Sequence, residues 1–287
     1  MAAVNEGKAL ELIAKAEKKS KSFWPGSAKY EDAHDMFTRG ANMLKVARKW
    51  DEAGDAFEKA AAMSAKLGEP HDEASDFVAA AGCYRKTQTG KAVTCLQRAV
   101  DLFTNMGRFT VAAKHTKDIA EMYEEDQELE SAINFYESAA QFYEGENSTA
   151  MATKCLLKAA TFLAQLEKYD RAIEIFEQAG IGGIDNNLTQ FKCKEYFLHA
   201  VLCHLATGEA HTARAALDRY QDLDAKFVGS REAEFANSLV TAVEDADVDA
   251  FTAAIVDFDR ITKLSNWRTT ILLRVKQAIQ AEEDDLT

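Results

Sequence analysis

Proline and glycine are scarce in this chain. It has two prolines and 14 glycines among 287 residues, whereas alanine, glutamate, lysine and leucine are abundant. Because proline and glycine interrupt helices and the abundant residues favour them, this composition excludes a proline- or glycine-rich class. It predicts an all-helical protein. The length allows a large core, in one elongated domain or in two compact ones.

Paired cysteines and long apolar runs are also lacking. The five cysteines form no CxxC pair, and all lie in helical patterns. Their odd number and positions predict reduced core thiols and a cytosolic protein. No apolar run is long enough to span a bilayer, and the N-terminal stretch is too charged for a signal peptide, so we expect neither a spanning helix nor a leader.

An excess of positive charge is missing. Lysine and arginine number 34 against 47 acidic residues, which gives a net charge of -13. This balance argues against a nucleic-acid partner, because such proteins carry a basic excess. A local basic patch remains compatible with it.

Signs of catalysis and metal binding are lacking too. The six histidines form no HxxxH pair, and no nucleophile–base arrangement stands out. The segment GIGGID, at 180–185, follows a helical pattern and lacks the lysine of a phosphate loop, which predicts an interhelical turn. We therefore predict no catalytic residue, metal or cofactor. An enzyme whose site is not visible in the sequence is kept as an alternative, ranked below the two binding functions given at the end of this subsection.

The chain contains a short internal repeat. A small residue is followed by a large apolar one four positions later and a small one three after that, as in Ala132, Tyr136 and Ala139. All three lie on one helical face, where small residues let helices approach closely. The first alanine of the pattern recurs at even spacing, at Ala92, Ala112, Ala132, Ala152 and Ala172.

One helix and a short turn fill each repeat, so a helix pair takes ~40 residues. Such pairs stack because neither can bury its apolar face alone. The predicted fold is an all-α, TPR-like right-handed solenoid of antiparallel helical hairpins over residues 1–212. Beyond GIGGID the repeat blurs, and residues 213–287 are expected to form a C-terminal helical bundle that caps the array.

A row of lysines follows the repeat register. Lys114, Lys154 and Lys194 lie at equivalent places in every second repeat, with Lys158 one turn after Lys154 and Arg108 at the start of the helix of Lys114. In stacked pairs these residues predict a basic strip, with steps of roughly 20 Å, that faces an acidic partner. Chance recurrence of a common residue is the alternative.

Two further segments are unusual. Phe23 and Trp24 stand in a loop, near residues 20–29, that holds Pro25 and Gly26. Four lysines lie in or next to it: Lys18, Lys19, Lys21 and Lys29. The two aromatics either fold back onto a core or contact an apolar partner such as a bilayer. The C-terminus carries four acids and a near-terminal leucine, which suits either a solubilising tail or a docking motif. This C-terminal segment consists of Glu282, Glu283, Asp284, Asp285 and Leu286.

Several long strings resemble the soluble attachment proteins of the N-ethylmaleimide-sensitive fusion ATPase (NSF), of the alpha/beta type. They include NMGRFTVAAKH at 105–115, KCLLKAA at 154–160, FLAQLEKYDRAIEIFEQ and WRTTILLRVKQAIQAEEDDL. The similarity extends over nearly the whole chain. The acidic tail with its leucine favours the alpha/beta type over the gamma type.

The resemblance implies an adaptor, not an enzyme. Members bind the syntaxin-containing four-helix SNARE bundle and recruit and stimulate a hexameric AAA+ ATPase, NSF. By motif, Arg108, Lys114, Lys154, Lys158 and Lys194 match the SNARE-binding residues. The acidic tail matches the segment that stimulates the ATPase, and Phe23 and Trp24 match a membrane-attachment loop, here shorter than in the family, for a weak peripheral contact on the cytosolic face. A scaffold for another acidic helical partner is the second alternative.

Overall fold

In the computed structural model the described residues are 2–23 and 26–286, without the side chains of 2–5 and 282–286. This part of the chain forms fourteen α-helices and no strand. The helices are α1 (Ala2–Ser20), α2 (Ala28–Val46), α3 (Trp50–Leu67), α4 (Pro70–Tyr84), α5 (Thr89–Asn105), α6 (Phe109–Glu125), α7 (Leu129–Gly145), α8 (Thr149–Gln165), α9 (Tyr169–Gly183), α10 (Gln190–Ala206), α11 (Ala210–Leu223), α12 (Arg231–Glu244), α13 (Val248–Asp259) and α14 (Asn266–Leu286). The predicted all-α class is confirmed.

The small residues of the repeat are buried, as the pattern predicts. The alanines from Ala92 to Ala172 that open each repeat are at most 2% exposed. Their short side chains let neighbouring helices approach closely, and the large residues between them fill the space. Leu156, one of those large residues, is only half-buried, and so is Val78, at the same place of the pattern between Ala74 and Ala81.

The turns between the repeat helices share one conformation. Three residues separate each pair from α5 to α9, and the middle one has a positive φ: Gly107 at 71°, Gln127 at 60°, Asn147 at 55° and Glu167 at 61°. The backbone N–H of the third turn residue donates to the carbonyl five positions back; for example, Lys168 N lies 2.9 Å from Leu163 O. This bond satisfies a free carbonyl at the helix end. The turn therefore recurs once in each repeat, in step with the alanines.

Packing divides the chain into two units, the first ending at Ala152 and the second starting at Thr153. In the first unit consecutive helices from α1 to α7 pack against each other. In the second, buried aromatic rings pack beside buried leucines, and Phe197 packs against both Tyr220 and Phe227. The boundary predicted at residue 212 and the handedness of the array stay predictions; residue 212 lies inside α11.

The segment GIGGID differs from its prediction. Its first four residues form the end of α9, and the turn starts only at Ile184. A Cβ on Gly180 would lie 2.5 Å from the Phe197 ring of α10. The glycine thus serves close helix packing and not a turn, which is why the turn interpretation was wrong for residues 180–183.

All five cysteines are free and buried, as the sequence predicts. Burial raises the pKa of Cys203 to about 12. Burial and a hydrogen bond to Glu58 raise the pKa of Cys95 to about 12. These thiols are therefore packing groups.

Candidate functional site: basic helix faces and an anchored C-terminal helix

Arg108 and Lys114 are placed by helix α6. Arg108 is the residue before its first turn, where the backbone N–H donates to Phe103 O at 2.8 Å and the carbonyl accepts from Ala112 N at 3.0 Å. Both basic side chains are exposed, and neither has an ion-pair partner in the described part of the chain. The opposite face of α6 is buried through Ala112 and Thr116. The packing of one face therefore leaves these two cations on the other.

Lys154 and Lys158 lie one turn apart on α8, and both are exposed. The Lys158 ammonium lies 5.6 Å from the centre of the Phe162 ring, a cation–π contact that keeps its stem along the helix. Ala152 and Ala159 are buried on the other face. Because Lys154 has no ion pair within the described residues, α8 offers at least one uncompensated cation to a partner.

Lys194 differs from the other lysines of the predicted strip. It is half-buried on α10, and its Nζ lies 3.0 Å from Glu232 Oε2 on α12. A carboxylate within its own unit therefore balances its charge. The internal repeat could not indicate this pair, because α12 lies outside the repeat. The only sign of it in the sequence is Glu232 itself, in the segment REAE at 231–234.

The loop after α1 exposes Phe23 completely. Trp24 and Pro25 lie outside the described residues. Two lysines that flank the loop contact the protein: Lys29 Nζ, in the first turn of α2, donates to Ser22 O at 3.0 Å, and Lys19, in the last turn of α1, pairs with Asp32. Phe23 therefore does not pack onto a core in this structure, which excludes for this residue the first of the two alternatives.

Helix α14 runs to Leu286, so the acidic tail continues its backbone; the side chains of the five predicted tail residues lie outside the described part. Near its start, Trp267 stacks on Phe176 of α9, with ring centres 5.8 Å apart. Arg268 Nη2 donates to Glu195 Oε1 of α10 at 2.7 Å. The apolar stripe predicted for this helix is buried at Ile271, Leu272, Val275 and Ile279.

A buried histidine adjoins this anchor. The His199 ring is edge-on to Trp267, with centres 4.8 Å apart, and neither ring nitrogen has a hydrogen-bond partner within the described residues. Burial, and secondarily the charge of Arg268, lowers the pKa of His199 well below its ordinary value of 6.5. The ring is therefore a neutral packing group at neutral pH.

A cluster of His34, Asp76 and Ser64 has the residue types of a catalytic triad but not its geometry. His34 Nε2 and the Ser64 hydroxyl both contact Asp76 Oδ2, at 2.8 and 3.1 Å. The hydroxyl points to the carboxylate and not to the imidazole, so no base activates it. Among the described residues, no group of histidine, cysteine and acidic side chains could hold a metal ion.

Helices suited to crossing a membrane are not found among the described residues. None of the helices there combines the length and the apolar character that a bilayer crossing needs.

Comparison with known proteins gives a consistent result. The family model described as "Soluble NSF attachment protein, SNAP" matches residues 7–280. The beta-soluble NSF attachment protein of Bos taurus is 43% identical over 285 residues, covering 96% of this chain and 95% of the relative. The alpha-soluble NSF attachment protein of Homo sapiens is 42% identical over 289 residues, covering 98% of each. The vesicular-fusion protein SEC17 of Komagataella phaffii is 35% identical, covering 96% of this chain and 98% of that protein.

Among solved structures, a signal-transduction ATPase with a tetratricopeptide repeat sensor from Pyrococcus horikoshii is similar in fold. Its TM-score is 0.50 at 13% identity, and the match covers 96% of this chain and 42% of that one. At this identity the likeness concerns the fold alone. It agrees with the predicted TPR-like arrangement of helical hairpins.

Proposed function

Because the chain belongs to the soluble NSF attachment protein family, we propose that it is an adaptor that binds assembled SNARE complexes and recruits and stimulates a hexameric NSF-type AAA+ ATPase. The observation that carries this proposal is the match over residues 7–280, with alpha and beta relatives of nearly equal length. An adaptor needs surfaces and no catalytic site, which suits the charged helix faces described above. The chain is not an enzyme.

The SNARE bundle is the partner of the basic helix faces in this proposal. Arg108, Lys114 and Lys154 are exposed cations without an ion-pair partner in the described part of the chain, and Lys158 is exposed beside Lys154. Family resemblance implies an acidic bundle surface, which such cations attract. Lys194 contributes less, because Glu232 already neutralises its ammonium.

The test is a pull-down of assembled SNARE complex by the variant that combines Lys114→Glu with Lys154→Glu. A single exposed pair is worth only ~0.2–1 kcal/mol, but charge reversal at two places turns attraction into repulsion. We expect binding to be lost and wild-type binding to weaken as salt rises.

The matched control combines Lys8→Glu with Lys86→Glu, two exposed lysines outside the proposed surface. It makes the same change in net charge and should bind like the wild type. Wild-type binding by the Lys114/Lys154 variant at low salt would contradict the assignment. Binding of a different acidic helical protein, with none of the SNARE bundle, would instead favour the generic scaffold.

The ATPase is the partner of the C-terminal tail, Glu282 to Leu286. An apolar residue beside four acids suits a basic surface with a small apolar pocket. We expect deletion of residues 282–287 to leave SNARE binding intact and to abolish stimulation of the ATPase. Full stimulation by the truncated chain would contradict this role.

A weak membrane contact on the cytosolic face is the role proposed for Phe23 and Trp24. Phe23 is fully exposed, and burying such a side chain contributes ~1.5–3 kcal/mol. Lysines near an anionic surface add about 1 kcal/mol each. Phe23→Ser with Trp24→Ser should slow disassembly of liposome-embedded SNARE complexes but not of soluble ones; equal slowing of both would show that the aromatics are structural.

A further inference from the structure

One arginine of helix α14 reaches the C-terminal end of helix α8. Arg274 Nη2 donates to Gln165 O at 2.9 Å, and Nη1 donates to Ala164 O at 3.3 Å. Nη1 also lies 3.3 Å from the Tyr169 hydroxyl, and Nη2 lies 3.4 Å from Glu167 Oε1. One guanidinium therefore contacts the last turn of α8, the turn after it and the first residue of α9.

These contacts supply hydrogen-bond donors to carbonyls at the C-terminal end of α8. The last four carbonyls of a helix have no partner within the helix, and the helix dipole makes that end negative. In the turn after α8, the Lys168 N–H donates to Leu163 O and the Glu167 N–H donates to Ala164 O at 3.2 Å. No backbone N–H in the described part of the chain donates to Gln165 O. Arg274 supplies a donor and a positive charge at that place, with the planar fork that suits two adjacent carbonyls.

The position of Arg274 along α14 gives the contact its importance. Trp267 and Arg268 hold the first turn of the helix. Beyond Arg274, no described side chain of α14 makes a hydrogen bond to another helix. Of the described side chains beyond it, only Val275 and Ile279 are buried. Its contact with α8 is therefore the polar restraint closest to the tail.

We propose that Arg274 is a positioning residue that ties the tail of α14 to α8, the helix that carries Lys154 and Lys158. The inference rests on the proposed function, in which those lysines contact the SNARE bundle and the tail stimulates the ATPase. Through Arg274, the helix that contacts the bundle sets the direction in which the tail leaves the domain. The residue itself contacts neither partner.

The first experiment compares Arg274→Gln with Lys276→Gln, which removes the same charge from the same helix at a side chain without a hydrogen bond or ion pair among the described residues. With NSF-type ATPase and SNARE complex, Arg274→Gln should lower the maximal stimulated rate about fivefold. The concentration for half-maximal stimulation and SNARE binding should not change. Arg274→Lys, which keeps the charge but loses the fork, should restore part of the rate.

These readouts separate positioning from a structural defect. Loss of folded protein would lower SNARE binding and stimulation in proportion, and measurement well below the melting temperature of each variant controls for it. An unchanged maximal rate in Arg274→Gln, or an equal loss in Lys276→Gln, would overturn the proposal.

A second experiment does not depend on the ATPase. Spin labels at the exposed positions Gln178→Cys on α9 and Gln280→Cys on α14 report the orientation of the end of α14. The distance distribution should be narrow in the wild-type background and broad with Arg274→Gln. An equally narrow distribution in both would overturn the proposal. If the wild-type chain fails to stimulate the ATPase while the distribution broadens, the proposed function fails and the positioning role stands.

Discussion

The repeat helices α5–α9 and the C-terminal helices α10–α14 are built on different principles. In the repeat, each helix buries an alanine-rich face and ends in the same type of short turn. The C-terminal helices bury an apolar core without this repeat and add polar contacts between distant residues. Arg268 contacts Glu195 across 73 residues, and Arg214 on α11 donates to Glu244 of α12 at 2.7 Å. The repeat thus uses the same contact at equivalent positions, whereas each polar contact of the C-terminal helices occurs once.

The first and largest effect is predicted at the end of α9, where the repeat helices meet the C-terminal helices. In Gly180→Ala, the new Cβ would lie 2.5 Å from the Phe197 ring, which is fully buried and stacked on Tyr220. Overpacking of this kind costs ~1–3 kcal/mol. We expect a lower midpoint in urea unfolding.

The control for that change lies two residues further along the same helix. A Cβ on Gly182 would meet nothing within 4 Å, so Gly182→Ala should stabilise by ~0.4–1 kcal/mol. The same sign for both variants would show that Gly180 is not a packing glycine.

The second prediction concerns pH and tests a C-terminal contact. Burial keeps His199 neutral in the folded state, with Arg268 of α14 near the ring and Glu195 of α10 at 3.7 Å. Its folded-state pKa is below the unfolded value of 6.5, so stability is fully present above pH 6.5 and falls as the pH drops below it. The loss approaches ~1.4 kcal/mol per pH unit.

The measurement is the free energy of unfolding at pH 7.5 and at pH 5.5, in the wild type and in His199→Gln. The difference between the two pH values should be smaller in the variant. The exposed His211 provides the control, because His211→Gln should leave that difference unchanged. An identical pH dependence in His199→Gln would show that the ring is not buried neutral.

The smallest effect is predicted in the repeat turns. Gly107 and Gln127 occupy equivalent places with φ values of 71° and 60°. A side chain there costs ~1–2 kcal/mol, partly offset by the greater freedom of glycine in the unfolded chain. Gly107→Ala should therefore destabilise and Gln127→Gly should stabilise, each by less than ~1 kcal/mol. Thermal unfolding of both variants checks the signs, and equal signs would show that the two turns are not equivalent.

The sequence predicted what depends on local spacing. The alanines of the repeat and the exposure of Lys114 and Lys154 follow from positions three and four apart on one helix. The conformation of Gln127 and Glu167 could not be read in the same way, because glutamine and glutamate rarely adopt a positive φ. Only Gly107 and Asn147 are residue types that favour such a turn.

Contacts between distant segments were beyond prediction from one sequence. The partner of Lys194 lies two helices further along the chain, and Arg274 reaches carbonyls that lie six helices earlier. Each depends on the path of the chain between the two residues and not on a period. Arg274 did have one signal, since it is a cation within the apolar stripe from Ile271 to Ile279.

The burial of all five cysteines has a consequence for chemical labelling. Maleimides react with the thiolate, and a thiol that is shielded from solvent with a pKa of about 12, as at Cys95 and Cys203, supplies almost none at neutral pH. The folded chain should therefore resist alkylation without any cysteine being replaced. A dye or spin label added at an introduced surface cysteine would then report from that site alone. Slow modification of the native thiols would time the transient opening of the helices that carry them, α4, α5, α8 and α10.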